Sequence, residues 1–243
     1  MRFRDKTVII TGAGSGIGRA TAERLSHEGA NLVLVDRDLA ALQDTQARVA
    51  APDRVLIRTH DVSVESEAER TYAEALKRFG YVNGFVNVAG AMIYQPLAEL
   101  TGNDWARIMT INFFAATYFT HHAFKHMSRG GSLVYVSSIH AHQTSPLVGP
   151  YAAAKAALSS LARTASIEGR GRNIRANAIL PGAVDTPMLR ESPNIKSGLE
   201  VLDPLDIGQA EDIAAAIAFA LSDEARFVTG SEITVDGGRL AKL

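Results

Sequence analysis

Tyr151 and Lys155 stand four residues apart in the run Tyr-Ala-Ala-Ala-Lys. On a helix that spacing puts both side chains on one face, and three alanines leave the face uncrowded. A lysine ammonium beside a phenol favours the phenolate and lowers its pKa from about 10. A tyrosine so placed can exchange a proton with an alcohol or a carbonyl near neutral pH. The same spacing also describes any two residues on a helix surface. A hydroxyl partner is at hand, because the apolar run Leu133–Val136 delivers Ser137 and Ser138 shortly before Tyr151. A serine there can donate to a substrate oxygen, or it can serve turn and cap chemistry.

Near the N-terminus, Thr11–Gly18 reads TGAGSGIG between an apolar run and a helical pattern. Glycines let backbone amides approach a phosphate, and the helix that follows adds unsatisfied N–H groups and a favourable dipole. The spacing is TGxxxGxG rather than GxGxxG. Gly12, Ser15, Gly16, Ile17 and Gly18 are the candidate contacts to a nucleotide cofactor. Asp36 ends the next apolar run, 18 residues after Gly18. An acidic residue about 20 positions on can accept hydrogen bonds from an adenosine ribose and would repel a 2′-phosphate. The cofactor expected is therefore NAD, with NADP disfavoured. Arg37, a guanidinium able to meet a phosphate, is the feature on the side of NADP. Asp61 and Val62 can reach the adenine, or Asp61 can cap the following helix.

These groups need a frame that brings distant segments to one edge. Apolar, β-branched runs at Thr7–Thr11, Asn31–Val35, Val55–Thr59, Phe85–Val88, Ser132–Val136, Ile174–Leu180 and Glu232–Val235 read as strands. Helical patterns alternate with them: Gly16 to about Gly29, Leu39–Ala50, Ser63–Phe79, Asp104–Met127 capped near Asn103, Tyr151–Gly169 and Ala210–Leu221. Continuous apolar strands imply burial on both faces. The alternation predicts one α/β domain over 1–243, a Rossmann-type, doubly wound parallel sheet of about seven strands flanked by helices. The least regular stretch, about Pro187–Gln209, follows a strand end and reads as a substrate loop or lid.

Composition narrows the function classes. Of 243 residues, 47% are hydrophobic, which suits a large core rather than disorder. The net charge of −1 gives no basic face for nucleic acid. Without cysteine there are no disulfides and no thiolate zinc sites. Met1–Lys6 runs into a strand that ends in Thr-Gly, unlike a cleavage site, and no apolar run approaches the roughly 20 residues of a membrane helix. A cytoplasmic protein with a small-molecule partner, and with neither a nucleic-acid nor a membrane partner, is expected.

Together the pieces resemble the classical short-chain dehydrogenase/reductase family over essentially the whole chain. Those that carry the resemblance are TGAGSGIG, Asp36, Asp61-Val62, Asn87-Val88-Ala89-Gly90, Asn112, Ser138, Tyr151 with Lys155, Pro181-Gly182 with Thr186, and Val235-Asp236-Gly237-Gly238. Two positions depart from the family pattern: Val88, where a second asparagine is frequent, and Ala210, where a proline often opens the helix. The resemblance implies that Tyr151 is the general acid/base. Lys155 would bind the nicotinamide ribose and depress the tyrosine pKa, and Ser138 would orient the reacting oxygen. Asn112 would hold a water behind Lys155. Asn87, Ala89 and Gly90 would lie beside the cofactor, and Pro181, Gly182, Val184 and Thr186 would contact its nicotinamide end. It also implies a homotetramer.

The substrate end should be lined by Met92–Tyr94, by Ile139–Gln143 and by the 187–209 loop. His140, His142, Gln143 and Met188 are candidate substrate contacts beside Ser138 and Tyr151. The polar groups favour a small polyol, sugar or hydroxylated ring over a bulky steroid, unless the histidines merely brace their loop. The leading expectation is an NAD-dependent oxidoreductase interconverting a secondary alcohol and its ketone. The alternatives are an NADPH-dependent carbonyl or 3-oxoacyl thioester reductase, and a catalytically silent NAD-binding regulator. His122 and His126 have i, i+4 spacing that can hold a metal. No third ligand lies near them in sequence, so packing is the preferred reading and no metal is expected. The arginines from Arg163 to Arg175 read as solvated surface.

Overall fold

In the computed structural model, which describes residues 1–127 and 130–242, the seven apolar runs form one parallel sheet. Its strands are β1 (Thr7–Thr11), β2 (Asn31–Asp36), β3 (Val55–Thr59), β4 (Gly84–Asn87), β5 (Gly131–Val136), β6 (Ile174–Pro181) and β9 (Glu232–Val235). Their spatial order is β3-β2-β1-β4-β5-β6-β9. A second, two-stranded pair joins β7 (Ala183–Val184) to β8 (Ile207–Gly208). The chain builds outward from β1 in one direction, then restarts at β4 on its other side. Thr11 and Asn87 are paired at this switch point, where a crevice opens beyond the strand ends.

Alternation along the strands fills two cores. Val8, Ile10, Leu32, Leu34 and Val134 face α1 (Gly16–His27), α2 (Leu39–Arg48) and α9 (Ala210–Leu221). Ile9, Val33, Phe85, Leu133 and Tyr135 face α3 (Glu65–Phe79), α5 (Ala115–His126) and α6 (Gly149–Gly169). Each fully buried aliphatic side chain contributes about 1.5–3 kcal/mol relative to exposure. With both faces covered, the strands hold rigid ends on which loops can place chemistry.

Several expectations change. The span Asp104–Met127 is not one α-helix. It comprises α4 (Gly102–Met109), a π-helical turn at Thr110–Phe114 and α5. The cap is Thr101 rather than Asn103: Thr101 Oγ1 accepts from Asp104 N while Asp104 accepts from Thr101 N, a reciprocal box. Helix α3 begins at Glu65, because Asp61 accepts from the Ser63 amide and hydroxyl and forms a turn instead. At Ala210, where a proline is frequent in the family the sequence resembles, Asp212 Oδ2 accepts from Gln209 N and closes the first turn of α9. Arg175 is not solvated surface. Its guanidinium donates to the carbonyls of Ala220, Leu221, Ser222 and Val228 and so caps the end of α9. His122 and His126 stack on each other at 6.0 Å and both stack on Tyr72.

The 187–209 loop has its own structure. It carries α7 (Pro187–Arg190) and α8 (Pro193–Lys196), and its ends are zipped by the β7–β8 pair. A short C-terminal helix, α10 (Arg239–Lys242), lies against it through Arg239–Glu200 and Lys242–Asp206 ion pairs. No helix of the described residues is long and apolar enough to cross a membrane.

Candidate active site

A cleft of about 430 Å³ opens at the strand ends, spanning the switch point and roofed by the 187–209 loop. Its floor at one end is the β1–α1 turn. Gly12 has φ +67°, and a Cβ there would sit 2.8 Å from Ala89 N. Gly16 has φ +49°, and its Cβ would meet Thr186 at 3.0 Å. A Cβ on Gly18 would lie 2.0 Å from Gly12 O, so Gly18 lets α1 fold back onto the turn rather than facing the cleft. Ser15, the N-cap of α1, makes no side-chain cap bond among the described residues, and the first turn of α1 holds no acidic residue. Open amides, an uncommitted hydroxyl and a positive helix end suit a phosphate.

Asp36 stands at the end of β2, where Oδ2 accepts from Gly14 N at 3.0 Å and Oδ1 from Asp38 N at 3.2 Å. Each oxygen retains a lone pair for a ligand. Asp36, exposed Arg37, Asp61 and Val62 all line the same end of the cleft. The turn bonds from Ser63 hold the Asp61 carboxyl below its usual range, so it stays ionised there. These features fit a dinucleotide: glycine-only space at the turn, open helix amides, and a carboxylate at the far strand end.

The opposite end carries the polar machinery. Tyr151 is buried in the first turn of α6, with the Lys155 ammonium 5.3 Å from its ring centre. Lys155 is buried as well, and its Nζ donates to Val136 O at 2.8 Å. The sequence expectation of a lowered phenol pKa fails for the protein alone. Burial pushes the Tyr151 phenol up to about 12, and the neighbouring Ser138 hydroxyl offsets only part of that. Burial also pushes the Lys155 ammonium down to about 8. Removing water costs each charged form more than this arrangement returns.

Ser138 serves the turn and cap chemistry, and it also lines the cleft. Its Oγ accepts from His140 N at 3.2 Å and caps the turn Ile139–Ala141, which leaves the hydroxyl proton free to donate into the cleft. Ser137 also lines the cleft, but its hydroxyl is committed, donating to Lys155 O at 2.7 Å and tying β5 to α6. Asn112 lies in the π-helical turn and does not line the cleft. Its Nδ2 donates to Ala91 O and Ile108 O, and its Oδ1 accepts from Ala91 N. The amide thus fixes the loop after β4, and one Oδ1 lone pair is all it keeps for a water. A Cβ on Gly90 would sit 2.7 Å from that Oδ1. Asn87 is buried behind the wall; its Oδ1 accepts from Thr11 Oγ1 at 3.4 Å, and its Nδ2 has no partner among the described residues.

Ala89, Gly90, Pro181, Gly182, Val184, Thr186 and Met188 all line the cleft. Two candidate substrate contacts do not reach it. His142 Nε2 pairs with Glu232 Oε2 at 2.5 Å, in a cluster with Arg163, and Gln143 is exposed. His140 does reach it, with its ring 5.9 Å from that of Tyr151 and its Nδ1 3.0 Å from Thr144 Oγ1. Sequence reading included Glu200 only as part of the 187–209 loop and missed Arg239; the two line the cleft as an ion pair at 2.6 Å. They are 39 residues apart, and nothing local in the sequence marks such a pairing.

Comparison with known proteins agrees in extent. The family model described as enoyl-(acyl carrier protein) reductase matches residues 12–239. Levodione reductase of Leifsonia aquatica is 37% identical, covering 99% of this chain and 96% of its own length. A crystal structure of levodione reductase superposes with a TM-score of 0.92 at 34% identity, over 100% of both chains. Cis-4-hydroxycyclohexanecarboxylate dehydrogenase of Sinomonas cyclohexanicum is 35% identical over 98% of each chain. Carveol dehydrogenase from Mycobacterium avium, crystallised in complex with NAD, superposes with a TM-score of 0.91 at 28% identity over 99% of each chain.

Proposed function

The chain belongs to the short-chain dehydrogenase/reductase family of oxidoreductases, and from that membership we propose that it interconverts a cyclic secondary alcohol and its ketone with NAD. The observation that carries this reading is the single cleft that holds the glycine turn and Asp36 at one end and Ser138, Tyr151 and Lys155 at the other.

When bound, the nicotinamide supplies the hydride chemistry, taking hydride from the carbinol carbon or returning it. The chain's own residues do the rest. Ser138, with its oxygen already held by His140 N, donates a hydrogen bond to the substrate oxygen and orients it. Tyr151 exchanges the hydroxyl proton with that oxygen. Lys155, fixed through Val136 O, supplies the cation that favours the phenolate. Asn112 positions the β4 loop against the lysine side of the cleft. Asp36 favours NAD, because a 2′-phosphate would face its carboxylate. The dehydrogenases and reductases described above, named for levodione, carveol and a hydroxycyclohexane, support a ring substrate. A cytoplasmic location remains part of this reading.

The test is NADH formation from a panel of cyclic secondary alcohols, run in parallel with NADP. Turnover with a preference for NAD of at least about 100-fold supports the reading, a ratio that costs only ~3 kcal/mol of discrimination. Preference for NADP would favour the carbonyl-reductase alternative. Cofactor binding without turnover of any alcohol or ketone would favour the silent regulator.

A further inference from the structure

We infer that the Glu200–Arg239 pair is a second recognition point in the cleft, selecting ring alcohols and ketones that carry another neutral oxygen away from the reacting carbon. This rests on the oxidoreductase reading above and names the substrate class more narrowly. Both residues line the same cleft as Tyr151 and His140. They come from separate segments, Glu200 from the roof loop and Arg239 from the first position of α10. Their side chains keep only 20% and 15% of their exposure. The pair is joined by one bond, Arg239 Nη2 to Glu200 Oε1 at 2.6 Å. A guanidinium has five donors and a carboxylate two oxygens, so this single contact leaves both groups with capacity. Glu200 Oε2 has no partner among the described residues.

The ring of His140 lies 5.9 Å from the Tyr151 ring, and it lines the same cleft as the pair. A six-membered ring held by Ser138 and Tyr151 and extending under the roof loop would bring its far side to the pair. A hydroxyl there can donate to Glu200 and accept from Arg239. A carbonyl can accept from Arg239. A carboxylate on the same atom would gain from Arg239 but face the free oxygen of Glu200, and an ammonium would gain from Glu200 but face Arg239, so a neutral oxygen is the group both partners bind without repulsion. A bare ring would cover the spare donors of Arg239 and the spare oxygen of Glu200 without bonding them, the situation in which sites reject analogues that lack a polar group.

The experiment measures kcat/KM with NAD for three alcohols: cyclohexanol, the cyclohexanediol with hydroxyls across the ring, and the hydroxycyclohexane bearing a carboxylate at that position. For the wild type, the diol should exceed cyclohexanol by at least about ten-fold, well beyond the factor of about two from its duplicate hydroxyl, and the carboxylate should fall below the diol. In Glu200→Gln, which keeps the size and polarity of the side chain, the carboxylate-to-diol ratio should rise at least about ten-fold. A wild-type diol and cyclohexanol within about two-fold of each other would overturn the inference while leaving the oxidoreductase reading intact, as would an unchanged carboxylate-to-diol ratio in Glu200→Gln. Failure of the wild type to oxidise any of the three, with NADH still bound in a fluorescence titration, would instead strike the underlying reading and this inference with it.

Discussion

At the scale of single residues, the cleft holds two groups that burial has moved in opposite directions. Tyr151 sits at about 12 and Lys155 at about 8, so at neutral pH the phenol is protonated and the amine charged. Alcohol oxidation needs the phenolate, and its rate should therefore rise with pH. Lys155→Met removes the nearby cation, so the rising limb should move to higher pH and kcat should fall by about 10²–10⁴-fold. The same lysine costs stability. Its folded pKa lies below the unfolded 10.5, so the unfolded chain binds more protons between about pH 8 and 10.5, and this group adds stability as pH rises through that window. Lys155→Met should accordingly unfold at higher denaturant than wild type near pH 7. The gain should be about 1–2 kcal/mol after the loss of the Val136 bond, and it should shrink as pH rises from 8 to 10.5. Equal stability at all pH values would show that the buried charge is not costly. The types and spacing of Tyr151, Lys155 and Ser138 were legible in the sequence. The direction of the phenol shift was not, because spacing reports neighbours and says nothing of how much water is excluded.

At the scale of elements, the glycine turn and the π-helical turn position the two ends of the site. Gly12→Ala combines a strained φ of +67° with a Cβ 2.8 Å from Ala89 N, and the backbone on both sides is fixed by strand pairing. NADH affinity should drop at least about 100-fold in fluorescence titration, since the turn must open to admit the methyl group. Asn112→Ala leaves Ala91 N, Ala91 O and Ile108 O without their partners. Chemical denaturation should show a loss of about 2–3 kcal/mol, and kcat should fall because the β4 loop loses its anchor. Undiminished stability would mean that water replaces the amide. Strands were the most legible elements, since burial on both faces writes uninterrupted Val, Ile and Leu runs. The break at Thr110–Phe114 was not legible, because i→i+5 bonding leaves no mark in apolar periodicity. Nor was the β7–β8 zipper, where two-residue strands are too short to show alternation.

At the scale of the whole molecule, the parallel order of the sheet was readable from the repeated strand–helix pattern, because right-handed crossovers allow few alternatives. The course of the 187–209 loop was not. It is fixed by pairs such as Glu200–Arg239 and Asp206–Lys242, whose partners lie far apart in sequence. Phe227 is 99% exposed and Ile167 75%, apolar surface that association would cover. The homotetramer implied by the family resemblance should give a light-scattering mass of about four times the 26.0-kDa chain, and a monomeric mass would contradict it. Turnover depends on proton exchange by the Tyr151 phenol, and Tyr151→Phe tests this most directly because only the hydroxyl is removed. With a cyclic alcohol that the wild type oxidises, the variant should lose at least about 10³-fold in kcat while NADH titrates with unchanged affinity. A variant that turns over within about ten-fold of wild type would place the proton transfer elsewhere.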